Sequence, residues 1–285
     1  LRFIIHTQRY EELLWSRIRG LLIAYFDNLS QYPCLVHFQT YREGGLSIGD
    51  FSSLNMSYSG GDDPEAVLEN RKLVAEGLGV PLENFVFCHQ THSLNVRIVG
   101  RQDRGKGVYL DDSDELYGVD AMITNEADTM LCVKTADCIP VICFDPVKRV
   151  IAALTAGWEL TAGRMAVKTI NLMHEEFGTL PSDIIVGIGV GAGVCCYEVN
   201  GDVLLKLQES LNRKSDFISC FNKKGSKFFV DLKQINRFQL EDIGVLKRNI
   251  EMSECCSICH STEHFSFRAS AGKTGRAAIG IMLKS

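Results

Sequence analysis

Between Asp120 and Gly157 the chain carries four short apolar runs, "DAMITN", "TMLCVKT", "IPVICFD" and "RVIAALTAG", with no helix-length pattern between them. Apolar runs this short, bounded by turn residues, read as strands buried on both faces. Strands that follow one another directly do not make a regular βαβ array, so they point to an α+β fold. Further strands are expected over "PCLVHFQTY", "KFFVDLK", "INRFQLEDIGV" and "RAAIGIMLK", while "ENFVFCHQTHSLNVRIV" reads as strand, turn, strand.

Helices are fewer. "GDDPEAVLENRKLVAEGLGV" has Asp63 as its cap, Pro64 at the first helical position and Gly77 or Gly79 as its stop. "TAGRMAVKTINLMHEEFG" is amphipathic and ends at Gly178, and "GDVLLKLQESLN" is a third helix. Residues 7–29 also read as helix, because Leu13, Leu14, Ile18, Leu21, Leu22 and Tyr25 recur at three- and four-residue steps. That gives a helical extension over 1–34 and one domain over 35–285.

A net charge of −5 with no concentrated basic face argues against a nucleic-acid surface. The apolar runs are too short to cross a membrane, and the charged N-terminal stretch lacks a small-residue cleavage site, so no signal peptide is expected. Eleven cysteines at irregular spacing fit a reducing compartment, the cytoplasm, better than a disulfide scaffold.

Several residues carry potential chemistry. His89 and His92 lie in "CHQTHS"; on a regular strand they face opposite ways, so one at most would enter a given site. Cys138 follows Asp137 and precedes an apolar run, where a cysteine is ordinarily a buried thiol; a reactive thiolate needs a cation, metal or helix N-terminus nearby. "CSICH" (256–260) matches a haem-attachment string, but a structural zinc held by Cys256, Cys259 and His260 is the better reading of a short and weak motif. "GIGVGAGVCC" lacks the rest of a dinucleotide fingerprint and reads as a tight turn allowing close backbone approach; "SAGKTG" misses the phosphate-loop spacing.

Taken together, "YREGGLSIGDFSSLN", "GDDPEAVLENRKLVAEGLG", "HQTHS", "VDAMITN", "KTADCIPVICFDP", "AGW", "CCYEV" and "GKTGR" resemble the YfiH/FAMIN family in order and spacing, from about residue 35 onward. The resemblance implies a single domain of mixed β-sheets packed between helices. It implies phosphorolysis of adenosine, inosine and methylthioadenosine, deamination of adenosine, and a zinc site of two histidines and one cysteine. Purine nucleosides and phosphate would then be the partners, with no nucleic acid or membrane.

Carried over by position, the ligands fall on His92 and Cys138, while the third ligand position is Thr155. The family's basic residue and glycine after the tryptophan are Glu159 and Leu160, its proline-containing loop reads "GVGAGV", and its arginine-rich segment is reduced to "RASAG". Arg42, Asn55, Asp120, Thr135, Asp137, Glu198 and Arg268 stand where the family has them. Their residue types suggest His92, Cys138, Arg42, Asp120 and Glu198 as catalytic groups and Asn55, Thr135 and Arg268 as substrate-binding groups. A neutral threonine is a poor zinc ligand, so zinc is expected to be weakened or lost. A cysteine amidase or hydrolase using His92 and Cys138, and an inactive nucleoside- or protein-binding relative, are the alternatives. Copper oxidation is a poor fit to seven histidines.

Overall fold

The computed structural model describes residues 8–10, 13–18, 20–109 and 116–285. One sheet has seven strands: β1 (Gln8–Tyr10), β2 (Leu13–Ile18), β3 (Leu21–Tyr25), β4 (Leu35–Thr40), β5 (Phe85–Phe87), β8 (Met130–Thr135) and β16 (Ala277–Leu283), in the spatial order β1-β2-β3-β4-β16-β8-β5. A six-stranded sheet comprises β6 (Val96–Ile98), β7 (Ala121–Thr124), β9 (Ile139–Asp145), β10 (Val150–Ala156), β11 (Ile185–Ile188) and β15 (Ile250–Met252), ordered β15-β11-β9-β10-β7-β6. A small third sheet joins β12 (Glu198–Val199), β14 (Lys227–Val230) and β13 (Phe221–Lys224). The pairs β5/β8, β6/β7 and β11/β15 are parallel, and the other pairs are antiparallel.

Strand alternation builds the layers. In β9 and β10, Ile142, Phe144, Ile151 and Ala153 meet Leu131, Val133, Ile279 and Ile281 of the larger sheet, forming an apolar core between the two sheets. The intervening residues Val141, Cys143, Ala152 and Leu154 point the other way, into the helical layer of α3 (Trp158–Ala162), α4 (Met165–Phe177), α5 (Gly201–Glu209) and α6 (Leu232–Asp242). On the far face of the larger sheet, Phe38, Met130, Cys132 and Ala278 pack with Val74 and Ala75 of α2 (Pro64–Leu78). The molecule is therefore a helix–sheet–sheet–helix sandwich, the expected α+β fold with mixed sheets between helices. Both middle strands are buried on both faces, which is why their sequences are continuously apolar.

The helix termini follow the expected chemistry. Asp63 accepts from the Glu65 N–H, Pro64 opens α2, and Gly79 and Gly178 end α2 and α4 in the left-handed region.

Two expectations are corrected. Residues 7–29 do not form a helix: within the described residues they contribute β1, β2 and β3 and the start of the short helix α1 (Asp27–Ser30). Leu21 and Ile23 pack on one face of the sheet while Ala24 packs on the other, so apolar residues fall on both sides and mimic a helical repeat. "INRFQLEDIGV" is mostly helix α6 rather than a strand. The helix buries Leu232, Lys233, Ile235, Asn236, Gln239 and Leu240, a helical pattern in which three members are polar. Among the described residues no helix is long and apolar enough to cross a membrane.

Candidate active site

A cleft of about 560 Å³ opens where the parallel strands β5 and β8 end. Its lining includes His89, Gln90 and His92 after β5, Lys134 and Thr135 at the end of β8 with Ala136 to Cys138 after it, Gly157 to Glu159 after β10, and Tyr197, Phe267, Arg268 and Arg276. That volume lies within the ~300–1,000 Å³ usual for small-molecule sites.

Both histidines line the cleft, against the strand expectation. β5 stops at Phe87, and the chain turns through His92 at φ 61°, so strict alternation no longer applies. Gln90 clasps β8 by two hydrogen bonds: Lys134 N–H donates to Oε1 (2.8 Å) and Nε2 donates to the Lys134 carbonyl (2.8 Å). Asp120, fully buried, accepts from the Thr91 N–H (3.2 Å) and from the N–H (2.8 Å) and hydroxyl of Ser93. Its carboxylate thus fixes the residues on either side of His92.

Cys138 follows Asp137, whose φ of 85° turns the chain between β8 and β9. Asp137 accepts from Ser257 Oγ (2.7 Å) and from the Arg268 N–H (2.7 Å), pinning that turn to the 257–268 segment. At Gly191 an added Cβ would lie 2.9 Å from the Asp137 carbonyl oxygen and 3.1 Å from that of Cys138, so the glycine-rich turn does allow close backbone approach. A Cβ on Gly157 would lie 3.0 Å from Cys138 Sγ and 3.8 Å from His92 Nδ1, so a side chain there would fill the space beside both groups.

Burial pushes the Cys138 thiol up to about 12, with the Asp137 charge adding and Arg276 opposing. It is therefore a neutral thiol at neutral pH rather than a ready nucleophile. Burial, reinforced by Arg71, pulls Lys134 down to about 8, while Nζ donates to the Cys88 carbonyl (2.8 Å). Arg276 donates through Nη1 to the Thr274 and Gly275 carbonyls, and Arg268 through Nη1 to that of Glu198. Among the described residues, Nε and Nη2 of both arginines have no hydrogen-bond partner. The Arg268 guanidinium lies 5.1 Å from the Tyr197 ring centre, and that of Arg276 lies 5.4 Å from the Phe267 ring centre.

The structure brings together His92, Thr135, Cys138 and Arg268. It does not bring Arg42, Asn55, Asp120 or Glu198 to the cleft surface. Arg42 donates to the Ser52 and Ser261 carbonyls and stacks on Phe265; Asn55 accepts the Arg276 N–H at 2.8 Å; Glu198 pairs with Lys227 at 2.9 Å. These side chains support the walls. The residues missed are Lys134, Gln90, Tyr197 and Arg276. Arg276 closes the quoted "GKTGR" segment, so its signal was present but not singled out.

His92 and Cys138 do not fit a three-donor zinc site. Thr155 Oγ1 is buried and engaged, donating to Asp120 Oδ1 and accepting from Gln90 Nε2, each at 3.4 Å. Among the described residues, the group of three or more candidate metal ligands found together is Cys195, Cys196, Cys256 and Cys259, and it includes neither His92 nor Cys138.

Comparison with known proteins agrees with the fold and the motifs. Residues 36–284 match the family model for multi-copper polyphenol oxidoreductase laccase. The purine nucleoside phosphorylase of Bacteroides thetaiotaomicron is 35% identical over 263 residues, 90% of this chain and 95% of that protein. Adenosine deaminase RL5, from an unknown prokaryotic organism, is 32% identical over 237 residues, 82% of this chain and 88% of that protein. The crystal structure of YlmD from Geobacillus stearothermophilus superposes with a TM-score of 0.85 at 33% identity, covering 100% of both chains. Matched in sequence along most of its length and in fold throughout, the chain belongs to the multi-copper polyphenol oxidoreductase laccase family, known by its motifs as YfiH-like.

Proposed function

We propose that the cleft binds a purine nucleoside beside phosphate and that the chain is a purine nucleoside phosphorylase acting on adenosine, inosine or methylthioadenosine. The observation that carries this reading is the pair Arg268 and Arg276, each with unused donors, in a cleft that also offers Tyr197, Trp158 and Phe267. Guanidinium forks suit phosphate, and aromatic faces suit a planar base. The phosphorylase relative supports the same choice.

In the proposed reaction a phosphate oxygen forms a bond to C1′ as the C1′–N9 bond breaks, with its electron pair passing to the base. Arg268 and Arg276 orient the anion; His92 donates the proton taken up by the departing base. Asp120 acts indirectly, by holding Thr91 and Ser93 around His92. No step is assigned to zinc. Incubation with inosine or adenosine, with and without phosphate, tests the reading by mass spectrometry. Ribose 1-phosphate formed only with phosphate is expected; free ribose, or no product, would sink it.

Adenosine deamination is the second reading, favoured by the named deaminase relative. In the YfiH/FAMIN family it goes with a metal site that Thr155 leaves one donor short here, so it is expected to be the weaker activity. Thr155→His should raise zinc affinity at this site by more than about 100-fold, because partners behind metal ligands alone are worth ~10–100-fold. Chelator competition on Thr155→His and the parent chain provides the measurement. Equal affinities would show that this position does not limit zinc.

A further inference from the structure

Apart from the cleft, two stretches far apart in sequence bring four thiols together. Cys195 and Cys196 follow the glycine turn after β11, and Cys256 and Cys259 lie on the turn after β15. The parallel pairing of β11 with β15, extended by the bridge between Gly191 and Cys256, sets these turns side by side. All four sulfurs lie within 4.8 Å of one another, and Cys259 Sγ is 3.3 Å from both Cys195 Sγ and Cys196 Sγ. All four are free cysteines.

We propose that Cys195, Cys196, Cys256 and Cys259 form a structural tetrathiolate zinc site that fastens the 191–196 turn to the 256–260 turn. Around one zinc ion with Zn–S bonds of ~2.3 Å, tetrahedral sulfurs sit ~3.8 Å apart. The two 3.3 Å separations lie just below that value, and no pair is more than 4.8 Å apart. The site is closed, with four protein donors and no open position, as structural rather than catalytic zinc requires.

The surroundings suit a bound thiolate cluster. Gly193 N–H donates to Cys256 Sγ at 3.2 Å, and the N–H groups of Ile258 and Cys259 also point at this sulfur. A Cβ on Gly193 would lie 3.0 Å from Cys256 Cβ and 3.4 Å from both Cys195 Sγ and Cys256 Sγ, so a side chain there would press on Cys256. Four thiolates around a divalent ion leave net negative charge. Buried Lys233, whose Nζ donates to the Ser253 (2.7 Å) and Cys255 (2.8 Å) carbonyls, supplies a nearby cation.

The site also bears on the cleft. Ser257, between two of the cysteines, holds Asp137, and Tyr197, next to Cys196, stacks with Arg268. Zinc here is a positioning device, since none of its ligands lines the cleft.

The test is metal analysis of the full chain purified under reducing conditions, combined with X-ray absorption. About one zinc per chain, coordinated by four sulfurs at ~2.3 Å, is expected. Cys138→Ser should retain it, whereas the double variant Cys256→Ser/Cys259→Ser should lose it. Should that variant fail to fold, alkylation of the parent chain decides the matter. Cys195 and Cys259, though exposed, should resist alkylation until a strong chelator removes the metal. Iron in place of zinc, a mixed sulfur–nitrogen shell, disulfides among the four, or alkylation indifferent to chelation would each overturn the assignment.

Discussion

Arg276→Ala is expected to lower kcat/KM for phosphorolysis about 100- to 1,000-fold, the usual cost of removing one well-placed donor from a developing anion. The residue stands beside Asp137 and Cys138, burial holding its pKa below its ordinary value while these two groups oppose the shift. Its Nη1 is anchored to two carbonyls, which orients the remaining donors before substrate arrives. Arg276→Lys should recover only part of the loss, since a point charge replaces a fork. Steady-state kinetics with phosphate varied will separate the effects: KM for phosphate should rise in both variants, and an unchanged KM would remove Arg276 from the anion site. The parent chain carries a related pH signature. Lys134, lowered to about 8 chiefly by burial, is charged below that pH and neutral above it. The cleft loses a positive charge as pH rises through 8, so phosphate affinity should fall there.

The second large effect is on stability. Asp120→Ala removes a fully buried carboxylate and strands the N–H groups of Thr91 and Ser93. The lost charge-assisted bonds, together with the buried Thr155 hydroxyl left without its acceptor, cost about 3 kcal/mol. For a chain of this size that lowers Tm by roughly 6–10 °C. Asp120→Asn keeps one acceptor oxygen and should fall between the two. Calorimetry gives the Tm, and hydrogen exchange at Thr91 and Ser93 tells whether the loss begins beside His92. A Tm within 1–2 °C (roughly the shift for ~0.5 kcal/mol) would mean that other groups hold this loop.

The sequence was most informative where burial is two-sided. β7, β8, β9 and β10 are legible because almost every residue in them must be apolar, whichever way it points. α6 was misread because Asn236 and Gln239 take core positions, where their side-chain amides bond to Thr161 and Ser210. Polar residues in a helical stripe erase the stripe. For the site, His92 and Cys138 were paired only through the family resemblance that their short segments carry; spacing and periodicity alone left both open. The four-cysteine group was not: "CCYEV" and "CSICH" are far apart in sequence, and only the β11/β15 pairing makes them neighbours.

One feature of the larger sheet governs how the molecule is made. β16 lies between β4 and β8, pairing residues 277–283 with residues 35–39 and 131–135. During synthesis β4 and β8 have no shared partner until residue 283 has left the ribosome, on the order of ten seconds after β8 emerges. Through that interval two apolar strand edges stay open to other nascent chains. Of this sheet's described strands, the one that joins β4 to β8 is thus the last to be made, so both halves of the sheet must wait for it.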